Sequence, residues 1–383
     1  MSGRPSRLLF AARLVLLGCM LAPGPALAAE RDAQACAVAE GFANHELLST
    51  MRRGVNLPGW DHEDQSRRPN AAQLSALHER GFRHIRLPLD ERKLDGDGSE
   101  AYLDRMFEQV IFLLSLDYTV SLDLHAGSAI GSTLETDPQR GEARLAALWQ
   151  AIAARVRSID PQKLAVELLN EPDVSSAIWW KAAGRTAAAI RKILPAHTII
   201  VGPAGPQRHE TLAGLQPLAD PNVIYAIHYY DPFAFTHQGA DWGDDDDPIS
   251  HLEGLPFPAR LADPAMQEKI AELEKAGQQR AATVLRDALD TPWDEAGMAG
   301  AFDTMRDWSV AHDRPVIVNE FGALSHVAPR EARLDWLAAV RRQAEKRCIG
   351  WTHWDFQDGF GLIDPETGMP DAGIMQALTP GAD

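Results

Sequence analysis

Eight short apolar runs punctuate the chain, at residues 53–57, 84–89, 119–125, 164–170, 198–202, 223–230, 316–320 and 349–354. Most are rich in Val, Ile and Leu without clean alternation, the pattern of parallel strands buried on both faces. Between them apolar residues return every three or four positions, as in 102–116, 143–156, 178–194 and 331–344, which predicts helices. Pro161, Pro195 and Pro315 stand shortly before strands, where a helix must already have stopped. Eight strands alternating with helices predict an α/β fold of the (β/α)8 TIM-barrel type. A doubly wound open sheet is the alternative. It would normally carry a glycine-rich first turn for phosphate, and the sequence has none.

Residues 231–291 break the rhythm. They hold aromatics (Phe233, Phe235, Trp242), the acidic run Asp244 to Asp247, prolines 256 and 258, and a polar helix predicted over 263–289. In a barrel this is an extended loop and helix insertion after strand six, on the face where strands end. The acidic run reads as a solvated loop, since it lacks the alternating ligands of a calcium loop.

The 383 residues are 45% hydrophobic, enough for a large core, and carry a formal net charge of −17. That charge argues against nucleic acid as a partner, because phosphates are repelled. Residues 1–28 resemble an export signal: Arg4 and Arg7, an apolar stretch from Leu14 to Ala22, and Ala26-Leu27-Ala28 before a cleavage point. The stretch is too short to span a bilayer. The expectation is a secreted or periplasmic protein cut near Ala28, with residues 29–383 as one catalytic domain and a monomer. Lipid anchoring at Cys19 is a minor alternative. Cleavage leaves Cys36 and Cys348, either disulfide-bonded across neighbouring first and last strands or two unpaired core residues.

In barrel enzymes reactive groups come from the C-terminal ends of strands. Here those ends carry Asn56, Arg86, His125, Asn170 with Glu171, His228 with Tyr230, Glu320 and Trp354, while strand five offers little. Two of the runs stop on a glutamate followed by a turning residue, Glu171-Pro172 and Glu320-Phe321-Gly322. Two carboxylates brought together by the fold are what retaining glycoside hydrolysis needs. An arginine inside an apolar strand requires a carboxylate partner, which marks Arg86.

These motifs, in order, resemble glycoside hydrolase family 5, the cellulase-type retaining β-glycosidases: Arg53-Gly54-Val55-Asn56, Ile85-Arg86-Leu87-Pro88, Asp123-Leu124-His125, Asn170-Glu171-Pro172, His228-Tyr229-Tyr230, Glu320-Phe321-Gly322 and Trp354. The resemblance runs from about Arg53 to Asp364. It implies that Glu171 is the acid/base and Glu320 the nucleophile, with the charge of Glu320 raising the pKa of Glu171. It also implies Arg86 and Tyr230 on Glu320, His228 orienting Glu171, His125 in a supporting role, and Asn170 on the sugar 2-hydroxyl. Trp354 supplies an apolar face for the sugar. Asn56 joins the substrate-binding set, and Trp60, Trp242 and Phe233, in loops predicted on the catalytic face, are expected as platforms for flanking sugars. No metal or organic cofactor is implied.

The expected substrate is a polysaccharide or oligosaccharide, first a β-1,4-glucan cut internally, alternatively β-mannan, β-1,3-glucan or a bacterial exopolysaccharide. A non-catalytic carbohydrate-binding barrel would normally have lost a glutamate or Arg86. A metal-dependent hydrolase would need clustered histidines, whereas His125 and His228 stand on different strands. The stretch Trp60-Asp61-His62-Glu63-Asp64 reads as a loop near substrate rather than a metal site.

Overall fold

The computed structural model of the chain describes residues 25–125, 128–243 and 247–381. Its eight strands are β1 (Gly54–Asn56), β2 (His84–Asp90), β3 (Thr119–His125), β4 (Leu164–Glu167), β5 (Thr198–Val201), β6 (Val223–His228), β7 (Val316–Glu320) and β8 (Gly350–His353). They pair in parallel in chain order, and β8 returns to β1 to close a barrel. The fold is the expected (β/α)8 TIM barrel. Alternation is present after all, hidden by both faces being buried. One set, including Ile85, Leu87, Val120, Leu122, Val166 and Val318, joins the large core shared with the surrounding helices. The intervening positions form the barrel interior.

That interior is layered. At the end where strands begin, Phe42, Leu47, Leu48 and Met51 pack with Ala165, Ile200, Ile224, Ala226 and Ile317. The short helix His45–Thr50 carries Leu47 and Leu48 and plugs this mouth. Asn44 Nδ2 ties it down by donating to the Thr198 hydroxyl at 2.8 Å and the Ala196 carbonyl at 3.2 Å. Towards the other end the interior turns polar, with Asn56, Arg86, Asp123, Glu167 and Asn319 all buried.

A 17-residue helix, Pro25–Gly41, precedes the plug, and a Cys36–Cys348 disulfide fixes it to the residue region just before β8. Of the expected export signal, residues 1–24, including Cys19, lie outside the described residues, and the expected cut near Ala28 falls within this helix. No helix among the described residues is long and apolar enough to cross a membrane.

The insertion follows β6 as expected, but its polar helix is two helices, Pro264–Lys275 and Gln279–Ala288. Gly277, at φ +80°, turns the chain between them, a conformation that costs a glycine little. An antiparallel bridge between Ala259 and Trp293 closes the insertion's base. Asp244 to Asp246 lie outside the described residues. Asp247 caps the 3-10 turn Pro248–His251 by accepting the Ile249 N–H at 2.9 Å.

Candidate active site

Arg86 organises the polar end. It projects from the middle of β2, fully buried, where an unpaired charge would be prohibitive. Its Nε and Nη2 fork onto Glu167 at 2.7 and 3.0 Å, and Nη2 also reaches Asp123 Oδ2 at 3.0 Å and Asn170 Oδ1 at 2.9 Å. Nη1 donates to Glu320 Oε1 at 2.5 Å and Asn56 Oδ1 at 3.0 Å. Burial opposes the guanidinium charge, but Asp123, Glu167 and Glu320 outweigh it and hold it charged well above its ordinary range.

Glu320 ends β7. Its Oε1 faces Arg86, while Oε2 accepts from the Tyr230 hydroxyl at 3.1 Å and lies 3.3 Å from His228 Nδ1. Burial, then the charges of Glu320 and Glu171, push the Tyr230 hydroxyl far up, so it stays a donor. A bulge between Ile227 and His228 sets His228 opposite Glu320 across β6 and β7.

Glu171 follows β4, with its backbone at φ +39°. A non-glycine residue held in this sparse region costs on the order of 1–3 kcal/mol, which the surroundings must supply. Its Oε1 lies 2.8 Å from His228 Nδ1, and its side chain is 39% exposed, the most open of the buried charge network. One oxygen of Glu171, one of Glu320 and a ring nitrogen of His228 all lie within 4.8 Å of one another. The structure thus brings the two glutamates together.

Charge explains the imidazoles. Asp123, Glu167, Glu171 and Glu320 surround one guanidinium, so His125 and His228 are drawn towards the protonated form. Burial works against His228, but Glu320 and Glu171 raise it above its ordinary value. Burial likewise opposes His125, and the hydrogen bond and charge of Asp123, 2.9 Å away, raise it. Burial alone would push the Glu171 carboxyl up, but the His228 hydrogen bond and charge leave it below the usual carboxylate range. The expectation of a raised Glu171 is therefore corrected: the hydrogen bond and charge of His228 outweigh burial and draw the carboxyl down.

The other expected residues divide. Asn170 is buried with its Oδ1 on Arg86 and its Nδ2 3.4 Å from His125 Nε2. Trp354, half-buried just past β8, stacks on the His125 ring with centroids 5.6 Å apart. Two expectations of substrate contact change. Asn56 is wholly buried beneath Arg86, with Nδ2 donating to the Asn319 carbonyl at 3.0 Å, so it braces the network from below. Trp60 is no open platform: only 3% exposed, it packs against Tyr102 and donates to the Pro88 carbonyl at 2.8 Å. Trp242, by contrast, is 61% exposed. It belongs to an aromatic wall in which Phe233 stacks on His237 at 3.8 Å, His237 meets Tyr230 at 5.0 Å, and Trp242 lies 6.4 Å from Phe360.

Sequence reasoning named Asp123 only as part of a motif and missed Glu167 and Asn319. Asn319 Nδ2 donates to both Glu167 oxygens at 2.9 Å. The signal was available: a carboxylate inside Leu164-Ala165-Val166-Glu167-Leu168 can be buried only with a cation, and Arg86 is the buried cation on a nearby strand. Among the described residues, two clusters have the donor set for a cation. In the first, Glu171–His228–Glu320, Arg86 and Tyr230 already occupy the Glu320 oxygens. In the second, His209–Glu210–Asp231, the Arg208 guanidinium binds Glu210 and Asp231, each at 2.8 Å, and takes the cation's place.

The family model for cellulase (glycosyl hydrolase family 5) matches residues 48–359. Endoglucanase 3 of Fibrobacter succinogenes is 30% identical over 367 residues, covering 88% of this chain and 54% of that protein. The chain thus spans about half the length of that relative. Cel5A of Thermotoga maritima in complex with cellobiose superposes with a TM-score of 0.69 at 26% identity, covering 87% of this chain and 98% of its own. The cellulose synthase subunit Z of Clostridioides difficile gives a TM-score of 0.68 at 26% identity, covering 86% and 99%.

Proposed function

The chain belongs to glycosyl hydrolase family 5, and from that premise we propose that it is an exported endo-acting β-1,4-glucanase that cleaves with retention. The observation that carries the reading is the approach of Glu171 and Glu320 oxygens to within 4.8 Å. Retaining enzymes hold their carboxyl groups about 5–5.5 Å apart, whereas inversion needs about 6.5–9.5 Å to admit a water. The names of the endoglucanase and of the cellobiose complex favour a glucan.

In the first half-reaction a Glu320 oxygen attacks the anomeric carbon, the bond to the leaving oxygen breaks, and that oxygen takes a proton from Glu171. In the second, water attacks the same carbon, gives a proton to Glu171, and the bond to Glu320 breaks. Arg86 and Tyr230 hold the two Glu320 oxygens in place for attack. His228 Nδ1, 2.8 Å from Glu171 Oε1, is placed to pass a proton to it. A sugar filling the cleft strips water from the partly exposed carboxyl, which favours its neutral form and draws the proton across. Arg86 takes Asn170 Oδ1, leaving Nδ2 to donate to the sugar 2-hydroxyl. Trp354 offers its ring to the sugar at the reaction centre, and exposed Phe233 and Trp242 supply faces for flanking sugars.

Export is supported by the basic-then-apolar start of the chain and by the disulfide, which persists in oxidising compartments. Residues 29–383 would then form the mature catalytic domain. A second reading keeps the chemistry and changes the polymer's source: likeness to a cellulose synthase subunit favours a glucan the producing cell itself makes.

The test is hydrolysis of carboxymethyl cellulose by wild type, Glu171→Gln and Glu320→Gln, with product anomers followed by NMR. Initial β-product from wild type and near-complete loss in both variants is expected. Activity on mannan or laminarin alone would keep the mechanism and move the substrate. No cleavage of any of these polymers, or full activity in Glu320→Gln, would overturn the reading.

A further inference from the structure

Strand β5 contributes no acid, base or sugar-binding group, yet the loop that leaves it grips the backbone around Glu171. Gln207 is completely buried. Its Oε1 accepts the Glu171 backbone N–H at 2.8 Å, and its Nε2 lies 3.4 Å from the Ala226 carbonyl on β6. The Gln207 backbone carbonyl accepts the His228 N–H at 3.0 Å. Two residues earlier, the Gly205 N–H donates to the Pro172 carbonyl at 2.8 Å. The loop therefore holds the chain on both sides of the Glu171 carbonyl carbon and also holds the backbone of His228, the residue placed to pass a proton to Glu171.

Two further features fit. Gln207 is itself left-handed, at φ +48°, which turns its side chain back against the end of β5. The space it occupies exists because residue 202 has no side chain: a Cβ on Gly202 would come within 1.9 Å of Gln207 Nε2.

We infer that Gln207 is a positioning residue for the acid/base, fixing the left-handed backbone of Glu171 through its amide and so aiming the carboxyl at the leaving oxygen. The inference rests on the assignment of Glu171 as acid/base. A buried amide that merely filled space would be replaceable by any side chain of its shape.

The experiment uses kcat/KM on two cellobiosides, one with a phenyl leaving group that needs protonation and one with a dinitrophenyl group that departs without it. For Gln207→Leu, apolar, one atom shorter and without the acceptor, a loss of about 100-fold is expected on the phenyl substrate and about threefold or less on the dinitrophenyl one. Gln207→Glu keeps an acceptor for the Glu171 N–H and should recover most of the phenyl loss. Gly202→Ala, which displaces the Gln207 side chain, should reproduce the same leaving-group dependence and serves if Gln207→Leu does not fold. Equal losses on both substrates, or none on either, would overturn the inference. Glu171→Ala is the control. If it shows no leaving-group dependence, or wild type cleaves neither compound, the acid/base assignment itself fails. If the control behaves and the Gln207 and Gly202 variants do not, only the positioning role is lost.

Discussion

The two ends of the barrel interior are built from the same strands and hold together in opposite ways. At the plugged end, Leu47, Leu48 and Met51 meet Ala165, Ile200, Ile224, Ala226 and Ile317, contacts that are non-directional and additive in area. At the open end Arg86 is shared among Asp123, Glu167 and Glu320, so each group's comfort depends on the others. An apolar layer tolerates exchange at constant volume, whereas a buried charge network tolerates almost none. Stability can drift at one end while the other stays fixed by its own electrostatics.

Removing the hub should break the comparison most visibly. Arg86→Met leaves Glu167 buried without its fork, with an expected loss of about 3–5 kcal/mol in denaturant unfolding. Activity per folded molecule should fall about 100-fold or more, as Glu320 loses its orientation. Arg86→Lys should not restore it, because one ammonium cannot reproduce the fork. A mild Arg86→Met phenotype would show that the polar end is no more interdependent than the plug.

Leu47→Ala is the counterpart at the other end. An expected cost of about 2–5 kcal/mol in unfolding should come with an unchanged rate per folded molecule. A matching loss of rate would mean that the plug communicates with the site.

The smallest effect is a pH signature. His228 is raised above its ordinary 6.5 in the fold, so its contribution to stability is complete below that value and fades as pH rises through the folded pKa. Glu171 is depressed below 4.5, so its contribution is present above that value and fades as pH falls through the folded pKa. The stability gap between wild type and His228→Gln should therefore be widest between about pH 4.5 and 6.5 and shrink on the alkaline side. The gap for Leu47→Ala should be flat over the same range.

The barrel was legible because parallel strands buried on both faces leave dense apolar runs, and the site because its residues cluster where those runs end. Asn170-Glu171-Pro172 and His228-Tyr229-Tyr230 stand out against any strand interior. What stayed hidden was what a strand interior conceals. Glu167 and Asn319 read as members of apolar runs; the need of a buried carboxylate for a cation hints at Glu167 with Arg86, but only the closed barrel shows that Asn319 reaches Glu167. Trp60 sits in a loop by sequence, yet Tyr102 buries it. The direction of the Glu171 shift could not be foreseen without knowing that the hydrogen bond and charge of His228 outweigh burial. The plug helix His45–Thr50 is too short for a helical period to register. Gln207 was invisible because its role is played through an amide on a backbone N–H, which no side-chain motif announces.

The bond between Cys36 and Cys348 spans 312 positions, and so turns nearly the whole barrel into a covalent ring. Glu171 and Glu320 lie on opposite sides of the exposed insertion that carries Trp242, within that ring. A protease that cut the insertion once would open the ring without detaching either half. The nicked molecule would gain one water and lose no piece, and even in denaturant its two glutamates would travel as a single particle until a reductant parted them.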